Sequence, residues 1–257
     1  MRHGYHGCMK ADATLFIDHF VFTKKTVYMQ RISDLVGTGH IHYVQGVVDI
    51  EKAGFLAGKF EARYTICQTK LQASRSRKAG MPSTRLRFLR RNENTTELDW
   101  ILLQAPGGEL DKSEKWRNAL EDRVSVTGYE LVRITKPNEP RPVWTWRYSR
   151  VQHDELRNSI IQGIRQKRDR DLQALIHSIW RSPGFAGIRE QVKKFDSLIK
   201  VEWKRARKAS EQMPDIPTRI GYVRRLKDVG IKLSTLRRNV GGKNPDEDSE
   251  ESRGSAA

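Results

Sequence analysis

The stretch that most limits what this chain can fold into runs from His153 to Gln212, where apolar residues recur at helical spacing on a background of arginine and lysine. Leu156, Ile160, Ile164, Leu172, Leu175 and Ile179 fall three, four or eight apart, along one stripe of a 3.6-residue period. Ser182-Pro183-Gly184 breaks that stripe. Phe185, Ile188, Val192, Phe195, Ile199 and Trp203 then resume it. Two amphipathic helices joined by a Pro-Gly turn are expected to close as an antiparallel hairpin over residues 151–212. The outer face carries Arg157, Arg165, Lys167, Arg168, Arg170, Lys193, Lys194, Lys200, Lys204, Arg205, Arg207 and Lys208. The interleaved Asp169, Asp171, Asp196 and Glu202 cannot offset so much positive charge.

That imbalance runs through the chain. Lys and Arg number 48 against 31 Asp and Glu, a formal charge of +17 over 257 residues. So large a charge opposes compaction by self-repulsion, and its usual counterpart is a polyanion. Nucleic acid is the expected partner, DNA favoured and RNA the alternative. No basic amphipathic terminal helix and no long apolar run marks a membrane partner. Cys8 and Cys67 lie far apart without zinc-site spacing, as in a reducing cytoplasm, where the protein is expected to reside. No feature specifies an oligomeric state.

An α+β class follows from the order of patterns. Residues 1–11 have no periodicity and read as a flexible N-terminus. Over residues 12–150, strands are expected at 13–25, Gly39–Ile50, Thr84–Arg91, Leu98–Gln104, Tyr129–Lys136 and Val143–Arg150. Helices are expected at Val27–Val36, at 51–78 and at Asp111–Val124, which makes a mixed sheet domain layered with helices. After the hairpin comes a linker at 213–217, then a small helical unit at 218–240. The acidic residues 241–257 read as disordered.

In the 218–240 segment Ile220, Val223 and Leu226 mark one short helix, Gly230 a turn, and Ser234-Thr235-Leu236 the start of another. The run Gly230-Ile231-Lys232-Leu233-Ser234-Thr235-Leu236-Arg237-Arg238 resembles the helix-turn-helix of bacterial repressors and resolvases. The likeness implies a bacterial DNA-binding protein in which Lys232, Ser234, Thr235, Arg237 and Arg238 face DNA. Without it, the segment reads as two short basic helices that close the hairpin.

His40-Ile41-His42 falls in an expected strand, where alternation puts both imidazoles on one face. The pattern is similar to the His-hydrophobe-His metal site of rolling-circle replication initiators and relaxases, with Tyr64 on the later helix in that family's order. The likeness implies a DNA nickase in which His40 and His42 hold Mg or Mn and Tyr64 attacks the scissile phosphate. A histidine pair on a half-exposed sheet face is the plainer account, and apart from this likeness no cofactor is expected. Trp144, Trp146 and Tyr148 also alternate onto one face, and Arg85, Arg87 and Arg91 onto another strand. Such a sheet is similar in architecture to the repeat-processing endoribonucleases of CRISPR systems, which implies base stacking and cleavage of a hairpin RNA. The same aromatics also suit packing beneath the helical hairpin.

Overall fold

The computed structural model describes residues 18–107, 110–135 and 140–241. In chain order the elements are β1 (Phe20–Phe22), α1 (Lys25–Gly37), β2 (His42–Asp49), α2 (Ile50–Tyr64), α3 (Lys70–Lys78), β3 (Thr84–Arg90) and β4 (Glu97–Gln104). There follow β5 (Arg117–Asn118), β6 (Ser125–Val126), β7 (Tyr129–Ile134), β8 (Val143–Tyr148), α4 (Arg150–Arg165), α5 (Asp169–Trp180), α6 (Ala186–Ala206), β9 (Gly230–Lys232) and α7 (Leu233–Gly241). The mixed α+β class is as expected. The division of the chain is not.

Two interleaved units replace the serial domains. The first comprises the described residues of Met1–Lys24, Gln45–Glu109 and Val229–Ala257, and the second comprises those of Lys25–Val44 and Leu110–Asp228. The residues expected to be a flexible N-terminus and most of the acidic tail lie outside the described range.

In the first unit, which takes in β2 from Gln45 onward, the strands run in the order β2-β4-β3-β1-β9. β3 and β4 form an antiparallel pair from Thr84↔Gln104 to Arg90↔Leu98, and β1 runs parallel to β3. Ile101, Leu102, Leu103 and Gln104 are all buried, as suits a central strand covered on both sides. The helix expected over 51–78 is two helices. Asp49 caps α2 by accepting from the Glu51 N–H at 2.8 Å, and Thr65, left-handed at φ 50°, ends it. A reciprocal cap then starts α3: the Thr69 N–H donates to Gln72 Oε1 (2.8 Å) and the Gln72 N–H to Thr69 Oγ1 (3.2 Å).

In the second unit β6, β7 and β8 form an antiparallel sheet, with Thr127 and Gly128, both at positive φ, as the tight turn between β6 and β7. Trp146 of β8 is wholly buried, and its indole N–H reaches the Met29 carbonyl (2.9 Å) and Ser33 Oγ (2.7 Å) of α1. Helix α6 lies over the same strand. A Cβ on Gly187 would sit 2.7 Å from the Trp146 carbonyl, so only glycine permits the approach. Gln191 closes the free edge, accepting from the Tyr148 N–H (2.7 Å) and donating to its carbonyl (3.3 Å). Asp111–Val124 holds no helix. The Asp111 carboxylate accepts from the Ser113 N–H and the Asn118 amide oxygen from the Leu120 N–H, and these local turns compete with helical pairing.

The expected two-helix hairpin is a three-helix array. The Ser182–Gly184 break stands where expected, but α4 also stops at Arg165. Arg168 N–H bonds to the Gly163 carbonyl (3.0 Å) and Lys167 N–H to that of Ile164 (3.3 Å), with Lys167 left-handed at φ 56°. This is a Schellman closure with lysine where glycine is usual. Lys167→Gly is therefore expected to raise stability by about 1 kcal/mol by removing the left-handed strain, measured as the shift in urea midpoint. Burial pushes the Tyr148 hydroxyl up to about 12, a neighbouring Tyr129 adding to the shift and a 2.5 Å bond with Ser182 opposing it. Its folded pKa lies above its unfolded value of about 10, so this stability is complete below pH ~10 and lost as pH rises through about 12. Alkaline titration followed by circular dichroism should show a loss in that window that is smaller in Tyr148→Phe.

Candidate nucleic-acid interface

The second unit's segments hold 29 of the 48 Lys and Arg and 17 of the 31 Asp and Glu, so +12 of the +17 resides there. Helix α6 shows how it is displayed. Ile188, Val192, Phe195, Ile199 and Trp203 are buried, which leaves Lys193, Lys194, Lys204 and Arg205 exposed on the remaining faces. Lys167, Arg168 and Arg170 are exposed around the α4–α5 turn, and Lys208 just past α6. Among the described residues Lys193, Lys204, Lys208, Arg168 and Arg170 enter no ion pair. Lys194 pairs with Glu190 on its own helix (3.1 Å), and Lys167 with Glu211 (3.6 Å).

Three of the expected phosphate contacts have internal work instead. The Arg207 side chain is about 1% exposed; its guanidinium is bonded to Asp169, lies 3.1 Å from Glu211, and stacks 4.4 Å from the Trp203 ring centroid. It locks the end of α6 to the start of α5, and it is corrected from a ligand contact to a structural clamp. Arg165 donates to the buried Glu202 at 3.0 Å, and Arg205 lies 3.6 Å from the same carboxylate. Both keep substantial exposure.

Of the two helices expected at 218–240, the first is absent and the second is α7. Thr218–Val229 contain no helix; they form a strap held by α1, with Gln30 Nε2 donating to the Arg224 carbonyl and Arg31 and Asp34 bonded to Asp228 and Arg225. Gly230–Lys232 pair antiparallel with β1 rather than forming a turn between helices. Ser234 is capped by Asp18: its N–H (2.9 Å) and hydroxyl (2.8 Å) donate to the Asp18 carboxylate, while Lys232 Nζ donates to the Asp18 carbonyl. Burial alone would raise the Asp18 carboxyl, but the two Ser234 bonds, with Lys232 and His19, bring it below its ordinary value. Thr235 is half-buried, and Arg237 and Arg238 are exposed on α7.

The expected strand from Gly39 begins only at His42, so the two imidazoles do not share a strand face. His40 sits in the turn after α1, its Nδ1 3.2 Å from the Leu35 carbonyl. His42 opens β2 opposite Asn118 of β5. Tyr64 ends α2, half-buried beside Phe60, and belongs to the first unit, whereas both histidines belong to the second. Neither unit by itself gathers the three residues. Among the described residues no group of three or more His, Cys, Asp or Glu is arranged to hold a metal ion. Trp146 and Tyr148 are buried, and Trp144, half-buried, faces Arg133 at 5.6 Å, so the three aromatics do not make an open stacking face. On the first unit's sheet Arg91 is held by Asp99, and Arg85 and Arg87 donate to nearby carbonyls.

Residues that the spacing of the sequence did not mark are Arg189, Arg219 and Tyr222. They lie on α6 and the strap, thirty-odd positions apart, and only the fold brings them together. No family model, no curated protein and no solved structure matches the chain. No helix among the described residues is long and apolar enough to cross a membrane.

The Arg207 clamp makes an asymmetric prediction. Its cation is buried while its acids are nearer the surface, so removing the acids strands a charge and removing the arginine does not. Asp169→Asn with Glu211→Gln should lower the urea midpoint clearly more than Arg207→Met does.

Proposed function

We propose that this protein binds nucleic acid, DNA in the first instance, through the cationic outer surface of the three-helix array in the second unit. The observation that carries the reading is the set of exposed cations without acidic partners among the described residues: Arg168 and Arg170 at the α4–α5 turn, Lys193 and Lys204 on α6, and Lys208 beyond it. Cations clustered without counter-charges carry mobile counterions, and a phosphate backbone that replaces them gains the entropy of their release. Lys194 and Lys167, in exposed ion pairs worth little by themselves, can exchange a carboxylate for a phosphate at small cost. With no first helix at 218–229 to brace α7, base-specific readout is not assigned to Arg237 and Arg238, which add positive charge to the first unit.

The test is a salt titration of duplex DNA binding by fluorescence anisotropy. The logarithm of affinity should fall linearly with the logarithm of salt, by about 0.9 per phosphate contacted. Lys193→Ala, Lys194→Ala and Lys204→Ala together should flatten that slope by roughly 2–3 and weaken random and selected sequences alike. Absence of binding to any DNA at low salt, or binding indifferent to salt, would overturn the proposal.

A further inference from the structure

Within the second unit a groove of about 340 Å³ runs between α6 and the strap, lined among others by Trp180, Arg189, Lys193, Arg219, Ile220 and Tyr222. Its volume falls at the small end of ligand sites, which span about 300–1,000 Å³. The floor is apolar, with Ile220 and Val192 buried and Trp180 half-buried. The rim is aromatic and cationic. Tyr222 is 78% exposed, an unusual position for so large a ring, yet it is not loose: the Arg189 guanidinium lies 3.6 Å from its centroid.

Arg189 is itself anchored by donating to the Gly184 carbonyl (3.0 Å), and the same carbonyl accepts the Val223 N–H (3.2 Å), which fixes the strap beside the ring. Gly184 allows this only as glycine, since a Cβ there would meet the Gly221 carbonyl at 1.7 Å. The ring is thus held in place before any ligand arrives, one face on the guanidinium and the rest open to solvent.

The charge around the groove selects an anion. Among the described residues Lys193 and Arg219 enter no ion pair. The two acids that also line it, Glu190 and Asp196, are each bonded to a lysine of α6, at 3.1 Å to Lys194 and 2.8 Å to Lys200. A flat stacking surface backed by a guanidinium, over an apolar floor and beside free cations, matches a nucleobase joined to a phosphate. A base paired within a duplex keeps both faces stacked on its neighbours and offers none to Tyr222. We infer that this groove takes one unpaired nucleotide of a single-stranded segment, its base stacked on Tyr222 and its phosphate beside Lys193 and Arg219. The site rests on the reading of the second unit as a nucleic-acid-binding surface and gives that surface a preference for unpaired strands.

The experiment compares DNA and RNA single strands of about a dozen nucleotides with the matching DNA duplex, in wild type, Tyr222→Ala and Tyr222→Phe. Anisotropy gives affinity, and a fluorescent purine analogue in each strand reports stacking by quenching. Because Tyr222 is exposed, its variants should keep the wild-type circular dichroism. Tyr222→Ala is expected to weaken single-strand binding roughly 5- to 150-fold, from the stacking energy of one base, and to abolish the quenching. Tyr222→Phe should bind as wild type, and duplex binding should be unchanged in both. The DNA and RNA arms show which polymer supplies the nucleotide. If Tyr222→Ala leaves single-strand affinity and quenching intact while salt-dependent binding persists, or weakens duplex and single strand equally, the stacking site is wrong and the cationic surface stands. If neither strand nor duplex binds at low salt, both are wrong.

Discussion

Trp146 is the fixed point of the second unit. Its indole is buried completely, its N–H ties β8 to the backbone and Ser33 hydroxyl of α1, and the carbonyl of the same residue limits how closely α6 can lie above the strand. One residue therefore connects a helix from early in the chain to a helix from late in it. Once α6 is seated through Gly187 and Gln191, its apolar stripe is used up, and the positions left over are mostly lysine and arginine. The display of charge is a consequence of that packing.

The cations divide by burial into two kinds. Arg207, enclosed by Asp169, Glu211 and the Trp203 ring, holds helices together, and a charge removed so far from water must keep its partners. Lys193, Lys204, Lys208, Arg168 and Arg170 are exposed and enter no ion pair among the described residues. The strap from 218 to 228 carries cations of both kinds. Arg225 and Asp228 bind it to Asp34 and Arg31 of α1, while Arg219 and Tyr222 stand out from it beside α6.

Part of the architecture was legible from side-chain pattern. Alternating and continuous apolar runs located β3, β4, β7 and β8 within a residue or two, Gly37 marked the end of α1, and Ser182-Pro183-Gly184 separated α5 from α6. The start of α3 was also legible, because Thr69 and Gln72 have the spacing of a reciprocal cap, although the longer apolar stripe across 51–78 obscured it. The stop at Lys167 was not. No glycine or proline stands there, and the left-handed turn forms because Ile164 and Leu172 must both be buried, with Gly163 set against Leu172. The aliphatic spacing of 218–226 pointed to a helix, but Gln30 and Arg31, nearly two hundred positions away, engage that segment's backbone and leave it extended.

What the amino-acid sequence determined alone is the class of fold, the amphipathic helices of the basic region and the surplus of positive charge, because these depend on composition and on periods of two and 3.6 residues. What only the tertiary structure decided is the interleaving of two units and the conversion of a helix-turn-helix-like run into a strap, an edge strand and a capped helix. It also decided which arginines are enclosed by acids and that Tyr222 meets Arg189. Those outcomes depend on close approach between residues remote in the chain, and local periodicity carries no record of such pairings.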